Sequence, residues 1–316
     1  MVSRSCWPAN RNRCFGTVTD HDTDLTHYEP SSPSLGFHAA ISRIISQIMR
    51  KYPKLNSLAW NVILRTYDLP PSSKLVAFAN GFTMTVSTQF GPFRFRPVFV
   101  NEILMALELY EPNVREVFKP ERGQTVFDIG SNIGFYTLRA SAQVGSTGRV
   151  VSIEANPDTF RILKTNVMAN CCINTIAFCC AAGAEDGLSE LYVPSNYAAG
   201  STMVHNPNRS PRPRAKVPVR TIDSIVSMLG IKKVNWIKID VEGAEIGVVA
   251  GCKSVLRSHR PKIIIETMNQ GVVQFLRENG YCVVAVRGVI GLLYAYPNLP
   301  PTGMIQTAVN RQTVAN

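Results

Sequence analysis

The sequence predicts an α/β fold with a mostly parallel sheet, and three observations carry that reading. After Gly123, short β-branched runs alternate with stretches of helical spacing, the rhythm of strand and crossover helix. Thr125-Val-Phe-Asp-Ile-Gly-Ser-Asn-Ile-Gly-Phe-Tyr reads as a buried strand, a glycine-bearing turn and the start of a helix. Trp236-Ile-Lys-Ile-Asp-Val-Glu-Gly-Ala-Glu is an apolar strand that ends abruptly in carboxylates, at the end of the strand where ligands of open α/β sheets collect.

Along the chain, residues 1–35 are rich in Ser, Asn, Asp, Pro and Arg with no apolar period, and read as a flexible tail. Residues 36–118 form an N-terminal accessory region. In it Phe37 to Met49 is an amphipathic helix with Ile41, Ile44, Ile45 and Ile48 on one face, Lys74 to Thr88 alternates like a strand, and Val98 to Tyr110 returns to helical spacing. The main domain spans residues 119–298. Its strands are expected at Thr125 to Ile129, Arg149 to Glu154, Asn174 to Cys180, Asn235 to Asp240, Lys262 to Thr267 and Tyr281 to Val286. Helices are expected at Phe135 to Gln143, Pro157 to Ala169, Ile222 to Leu229, Ala244 to Ser258 and Val272 to Asn279. Pro157 suits a first helical turn, and Asn156 before it suits an N-cap. Residues 204–220 read as a Pro-, Asn- and Arg-rich insertion, and residues 299–316 as a polar tail.

Composition narrows the class. Of 316 residues, 45% are apolar and 17% charged, which is globular. No stretch reaches the roughly 18 uninterrupted apolar residues of a membrane helix; even Val283 to Tyr296 carries Arg287 and two glycines. Met1 to Phe15 has no apolar block and is no secretory signal, so a cytoplasmic location is expected by default. The formal charge of +11 favours an anionic partner. Eight cysteines make no disulfide scaffold. Cys171, Cys172, Cys179 and Cys180 match no zinc spacing and read as buried small hydrophobes, Cys6, Cys14, His21 and His27 are a weaker metal candidate still, and no metal site is expected.

The chemistry concentrates at strand ends. Gly130 and Gly134 let the backbone turn tightly beside a ligand, with the open amides of the next helix alongside. The dinucleotide fingerprint is absent, and Asp128 stands just ahead of Gly130. A carboxylate there repels a pyrophosphate and suits an ammonium or sulfonium, which points to S-adenosylmethionine. Glu154 closes the second strand 26 positions after Asp128, where an acid can accept hydrogen bonds from ribose hydroxyls. Gly251-Cys-Lys-Ser lacks the glycine frame of a phosphate-binding loop. In a strand Lys238, Asp240 and Glu242 share a face. Asp240 could take or position a proton, or with Glu242 hold a divalent ion; Lys238 could equally neutralise both as a structural network. Glu266, ending Lys262-Ile-Ile-Ile-Glu, would reach the same crevice or stand solvated.

In order and spacing these pieces resemble the FkbM-type S-adenosylmethionine-dependent methyltransferases. The matching segments are Phe127-Asp-Ile-Gly-Ser-Asn-Ile-Gly-Phe-Tyr-Thr, Ser152-Ile-Glu-Ala-Asn-Pro, Val219-Arg-Thr-Ile-Asp-Ser, Ile237-Lys-Ile-Asp-Val-Glu-Gly-Ala-Glu, Pro261-Lys-Ile-Ile-Ile-Glu and Phe275-Leu-Arg-Glu-Asn-Gly-Tyr. The resemblance implies a Rossmann-like class I methyltransferase sheet of seven strands, the last antiparallel, with helices on both faces, and usually O-methyl transfer. It makes Asp128, Gly130, Asn132 and Gly134 the cofactor loop, with Ser131 where the family often has alanine. Glu154 becomes the ribose ligand, Asp240 and Glu242 face the acceptor, and Cys180-Ala-Ala-Gly-Ala-Glu-Asp-Gly lies near the adenine.

The function this implies is S-adenosylmethionine-dependent methylation of a hydroxyl on a small molecule, sugar or lipid-linked glycan. Arg209, Arg212, Arg214, Lys216 and Arg220, with no acid among them, suit an anionic acceptor such as a phosphorylated or uronic sugar. They also support an alternative, an RNA-modifying or nucleic-acid-binding protein. The lack of aromatic stacking residues beside them argues against it.

Overall fold

The computed structural model describes residues 84–88, 91–95, 114–193, 202–204, 215–286 and 289–298. The expected helices at 37–49 and 98–110, both terminal tails, Cys6, Cys14, His21 and His27, and Arg209, Arg212 and Arg214 lie outside the described residues. Two strands of the N-terminal region, β1 (Met84–Thr88) and β2 (Gly91–Phe95), form an antiparallel hairpin. Then come α1 (Val114–Val117), β3 (Thr125–Ile129), α2 (Phe135–Val144), β4 (Arg149–Glu154), α3 (Pro157–Ala169) and β5 (Thr175–Cys179). They are followed by β6 (Ala181–Ala182), β7 (Gly187–Leu191), β8 (Ala215–Arg220), α4 (Ile222–Met228) and β9 (Trp236–Ile239). The chain continues through α5 (Glu245–Ala250), α6 (Lys253–Ser258), β10 (Lys262–Glu266), α7 (Gln270–Glu278), β11 (Tyr281–Ala285) and β12 (Leu292–Pro297).

Seven strands form the main sheet in the order β11-β12-β10-β9-β3-β4-β5. Strands β10, β9, β3, β4 and β5 run parallel, and β12, the last in the chain, runs antiparallel to β10 and β11. This is the Rossmann-like class I methyltransferase sheet. Each central strand alternates between two apolar layers, as buried parallel strands do. Phe127, Ile129, Ile237 and Ile239 face Ile225, Val248, Leu256 and Leu276 of α4 to α7. Val126, Val150 and Trp236 face Tyr136, Leu138 and Val144 of α2, together with Val114 and Phe118. Phe118 meets the rings of Tyr136 and Trp236 edge-on, with centroids 6.0 and 5.4 Å away. Asn156 caps α3 as expected, its side chain accepting the Asp158 amide at 3.0 Å.

The structure departs from the sequence expectations in three places. Residues 215–220, expected within an insertion, are strand β8, central in a small sheet ordered β6-β8-β7. Val217 and Val219 point inward while Lys216, Pro218 and Arg220 are exposed, an alternation that a count of Pro and Arg hides. Arg220 is paired with Asp186 at 3.1 Å and Lys216 stands across from Glu190, so neither adds to an unopposed basic surface. The single helix expected at 244–258 is two, α5 and α6. At the break a Cβ on Gly251 would lie 2.0 Å from the Gly183 carbonyl oxygen, and the Asp223 carboxylate accepts the amides of Ser254 and Val255 at 2.8 and 2.9 Å, capping α6 afresh. Strand β12 follows from the resemblance but not from the β-branched runs, because Leu292-Leu-Tyr-Ala-Tyr-Pro is not β-branched. Among the described residues no helix is long and apolar enough to cross a membrane.

Asp223→Ala removes both acceptors from the start of α6. It should cost about 1 kcal/mol, read as a fall of a few degrees in the thermal unfolding midpoint with secondary structure content otherwise kept.

Candidate active site

The site is built at the carboxyl ends of β3, β4 and β9. After Ile129 the chain leaves β3 through residues with positive φ, Gly130 (74°), Asn132 (50°) and Gly134 (97°). The turn is bound to β4: the amides of Gly130 and Ser131 both donate to the Ile153 carbonyl, at 2.9 and 3.0 Å. Ser131 finishes the lacing with its side chain, donating to the Asp128 carbonyl at 2.6 Å and accepting the Ile153 amide at 3.0 Å. The Ser131 hydroxyl therefore fastens the turn. From the far side, the Asn166 side chain donates to the Ile133 carbonyl at 2.7 Å.

Glu154 closes β4 against this turn. Its carboxylate accepts two backbone amides, Asn132 at 2.8 Å and Asn156 at 2.9 Å, so the α3 cap and the turn together orient it. Burial pushes its carboxyl up to about 7, against the two amides, and the nearby Asp128 and Asp240 add to the rise. Two accepted bonds leave further lone pairs on the carboxylate.

Behind the turn, a polar row crosses the sheet under α2. Ser152, Asp128 and Lys238 are partners in adjacent strands β4, β3 and β9. Thr137 of α2 donates to one Asp128 oxygen at 2.6 Å and shares a hydrogen bond with Ser152 at 2.8 Å. The other oxygen, Oδ1, receives no hydrogen bond and lies 4.0 Å from Lys238 Nζ. Burial raises the Asp128 carboxyl, with Lys238 and the Thr137 hydroxyl opposing. Lys238 Nζ donates to Asp240 Oδ2 at 3.1 Å and sits 4.8 Å from the centre of the Tyr136 ring.

Asp240 itself is half-buried at the mouth of β9, its amide donating to the Ile129 carbonyl at 3.0 Å. The strand stops at Ile239, so the shared face expected for Lys238, Asp240 and Glu242 ends at Asp240. Glu242 is exposed in the following turn with φ 53°, a left-handed conformation that breaks the two-residue alternation. Glu266 is exposed at the end of β10, on the α2 side of the sheet and one strand beyond β9. A residue that the sequence reading passed over, Glu245, anchors the turn: it is 4% exposed, accepts the Gly243 amide at 2.7 Å and takes a bond from the Thr267 hydroxyl at 3.4 Å. An acid in the first turn of a helix was the signal for it. Among the described residues no cluster of three or more His, Cys, Asp or Glu could hold a metal ion.

The methyltransferase FkbM domain matches residues 128–283, which hold this whole site. The chain carries a methyltransferase FkbM domain. Among its relatives is the hexuronic acid methyltransferase AglP of Haloferax volcanii, 29% identical over 141 residues, 44% of this chain and 54% of that protein. Methyltransferase 1 of Beauveria bassiana is 29% identical over 143 residues, 40% of this chain and 57% of that one. The matched segment thus spans about half the length of these curated relatives. The crystal structure of a methyltransferase FkbM from Methylobacillus flagellatus shares 18% identity with a TM-score of 0.43, covering 61% of this chain and 52% of the other.

The donor set of this FkbM site suits a ligand that carries paired hydroxyls and a positive charge. Glu154 has unused acceptor capacity at the edge, and the buried Asp128 Oδ1 has no donor. Because Glu154 keeps its proton to higher pH folded than unfolded, the stability this lends is present below the ordinary value of about 4.5 and is lost as pH rises through about 7. Glu154→Gln should remove that dependence. Denaturant unfolding between pH 4 and 8 should show the variant gaining on the wild type with rising pH, by up to about 3 kcal/mol, beneath a constant offset from the altered amide bonds.

Proposed function

We propose that this chain transfers a methyl group from S-adenosylmethionine to a hydroxyl of a sugar-type acceptor. The observation that carries the reading is the meeting, around one glycine turn, of a carboxylate held by two backbone amides and a half-buried aspartate on the neighbouring strand end. Glu154, fixed by Asn132 and Asn156, would receive the ribose hydroxyls, and the Gly130–Gly134 turn with Asp128 behind it would hold the amino acid end of the donor.

The bound sulfonium supplies an already activated methyl group. What remains for the protein is to align the acceptor and to deal with its proton. With the donor held by Glu154 and the glycine turn, the acceptor oxygen would take the methyl group while the electron pair of the carbon–sulfur bond stays with sulfur, and Asp240 would receive the acceptor proton. Asp240 suits that role because it is open to the crevice on one side and hydrogen-bonded to Lys238 on the other. A uronic acid sugar is the first acceptor to try, given the hexuronic acid methyltransferase among the relatives and the cationic Arg209, Arg212 and Arg214 in the segment leading to β8. A carboxylate acceptor would need no base, so the position of the new methyl separates two chemistries: an ether requires Asp240 and an ester does not.

Calorimetry should show S-adenosylmethionine binding to the wild type, weakened by about 1 to 3 kcal/mol in Glu154→Ala; unchanged affinity would remove Glu154 from the donor site. Incubation with isotopically labelled donor and free hexuronic acids such as D-glucuronate, followed by NMR of the product, identifies the bond formed. For an ether product, Asp240→Asn should keep donor affinity and lose about 10²- to 10⁴-fold in kcat.

A further inference from the structure

Lys238 stands where few lysines do. It is the third residue of a central strand, 6% exposed, with its side chain on the α2 face of the sheet between two carboxylates that belong to different halves of the site. Asp128 is the penultimate residue of β3, just ahead of the glycine turn, and Asp240 immediately follows β9. The ammonium hydrogen-bonds Asp240 Oδ2 at 3.1 Å, lies 4.0 Å from Asp128 Oδ1 and is covered by the Tyr136 ring at 4.8 Å. An ammonium taken out of water costs several kcal/mol unless it is paired, and here two site carboxylates pair with it.

We propose that Lys238 is the positioning residue that clamps Asp240 to the donor turn, fixing its carboxylate to receive the acceptor proton. Three features support this. The Nζ atom is engaged between two carboxylates, so proton acceptance falls to Asp240, which alone of the three is partly open to solvent. Strand register places Lys238 directly beside Asp128, so the clamp spans the two strand ends without depending on a loop. Without the cation, Asp128 and Asp240 would face each other across a site that already includes Glu154, where burial first, and the neighbouring acids after it, raise the carboxyls of Asp128 and Glu154. Asp240 would then be free to turn toward water, and the acceptor would meet a mobile base.

The inference rests on the methyl-transfer reading for its catalytic half, and the experiment separates the two. Lys238→Met, Asp240→Asn and the double variant are compared in two cycles. The first needs no acceptor: Lys238→Met should lower the thermal unfolding midpoint by on the order of 5 °C in the wild type, and by less than half as much with Asp240→Asn already present. Equal falls in both backgrounds would mean simple loss of packing and would overturn the clamp. The second measures labelled methyl transfer to D-glucuronate. Lys238→Met should lower kcat by about 10- to 100-fold with the donor KM kept, and should add little to Asp240→Asn. A loss of the same factor in both backgrounds would overturn a role exerted through Asp240. If wild-type protein methylates no D-glucuronate, that result counts against the acceptor proposed above, and the stability cycle alone decides the clamp.

Discussion

The two loops that carry the site touch backbone to backbone. A Cβ on Gly130 would lie 1.7 Å from the Asp240 carbonyl oxygen, closer than any two such atoms can stand, so a side chain there would drive the donor turn away from the end of β9. The rest of the site depends on this approach. It lets the Asp240 amide reach the Ile129 carbonyl, prolonging the β3–β9 ladder one residue past the strand, and it leaves Lys238 directly beside Asp128. At Gly130 a positive φ coincides with a close approach to backbone, and glycine alone meets both demands.

Charge is the second constraint. Three carboxylates, Asp128, Glu154 and Asp240, are gathered within a region of apolar strands, and the structure handles each differently. Glu154 is stabilised by two backbone amides, Asp128 by the Thr137 hydroxyl and a distant ammonium, and Asp240 by that ammonium and by its partial exposure. The amides and hydroxyls do not overcome desolvation at the two buried acids, whose carboxyls stay raised. Such groups raise the free energy of the folded protein and are lowered again when a cation or hydroxyl donor arrives. On the proposed reading, a positively charged, hydroxyl-bearing donor would relieve part of that cost on binding.

What could be read in the sequence follows the same physics. The strands β3 and β4 were legible to the residue because buried parallel strands are continuous β-branched runs, and the Gly130 turn was legible because only backbone geometry explains glycines there. Asn156 and Pro157 announced α3 by local chemistry. The features missed are those decided by tertiary contact. The break between α5 and α6 comes from a close approach to Gly183 and a cap offered by Asp223, far away in sequence. Strand β8 was obscured because its outward positions carry Lys216, Pro218 and Arg220, which in isolation resemble loop composition. Glu242 was misplaced because strand alternation was extended past the point where the backbone turns left-handed.

The two ends of the site are held by different means, and this bears on what each can specify. On the side proposed for the donor, Glu154 and the glycine turn are fixed largely through backbone groups, the Asn132 and Asn156 amides on Glu154 and the Ile153 carbonyl and amide on the turn, while Asp128 behind them is held by the Thr137 hydroxyl. On the acceptor side the fixing bonds are between side chains or from side chain to turn: Lys238 on Asp240, Glu245 on Gly243 and on Thr267. Beside the turn, Val204 comes from the segment between β7 and β8, with its Cγ2 3.9 Å from where a Cβ on Gly243 would stand. On the proposed reading, substitution at Val204 or Glu242 would reshape the acceptor end without disturbing the sheet. The sheet and the glycine turn would then constrain the reaction type more tightly than the acceptor, whose choice would rest on side chains that the core does not need.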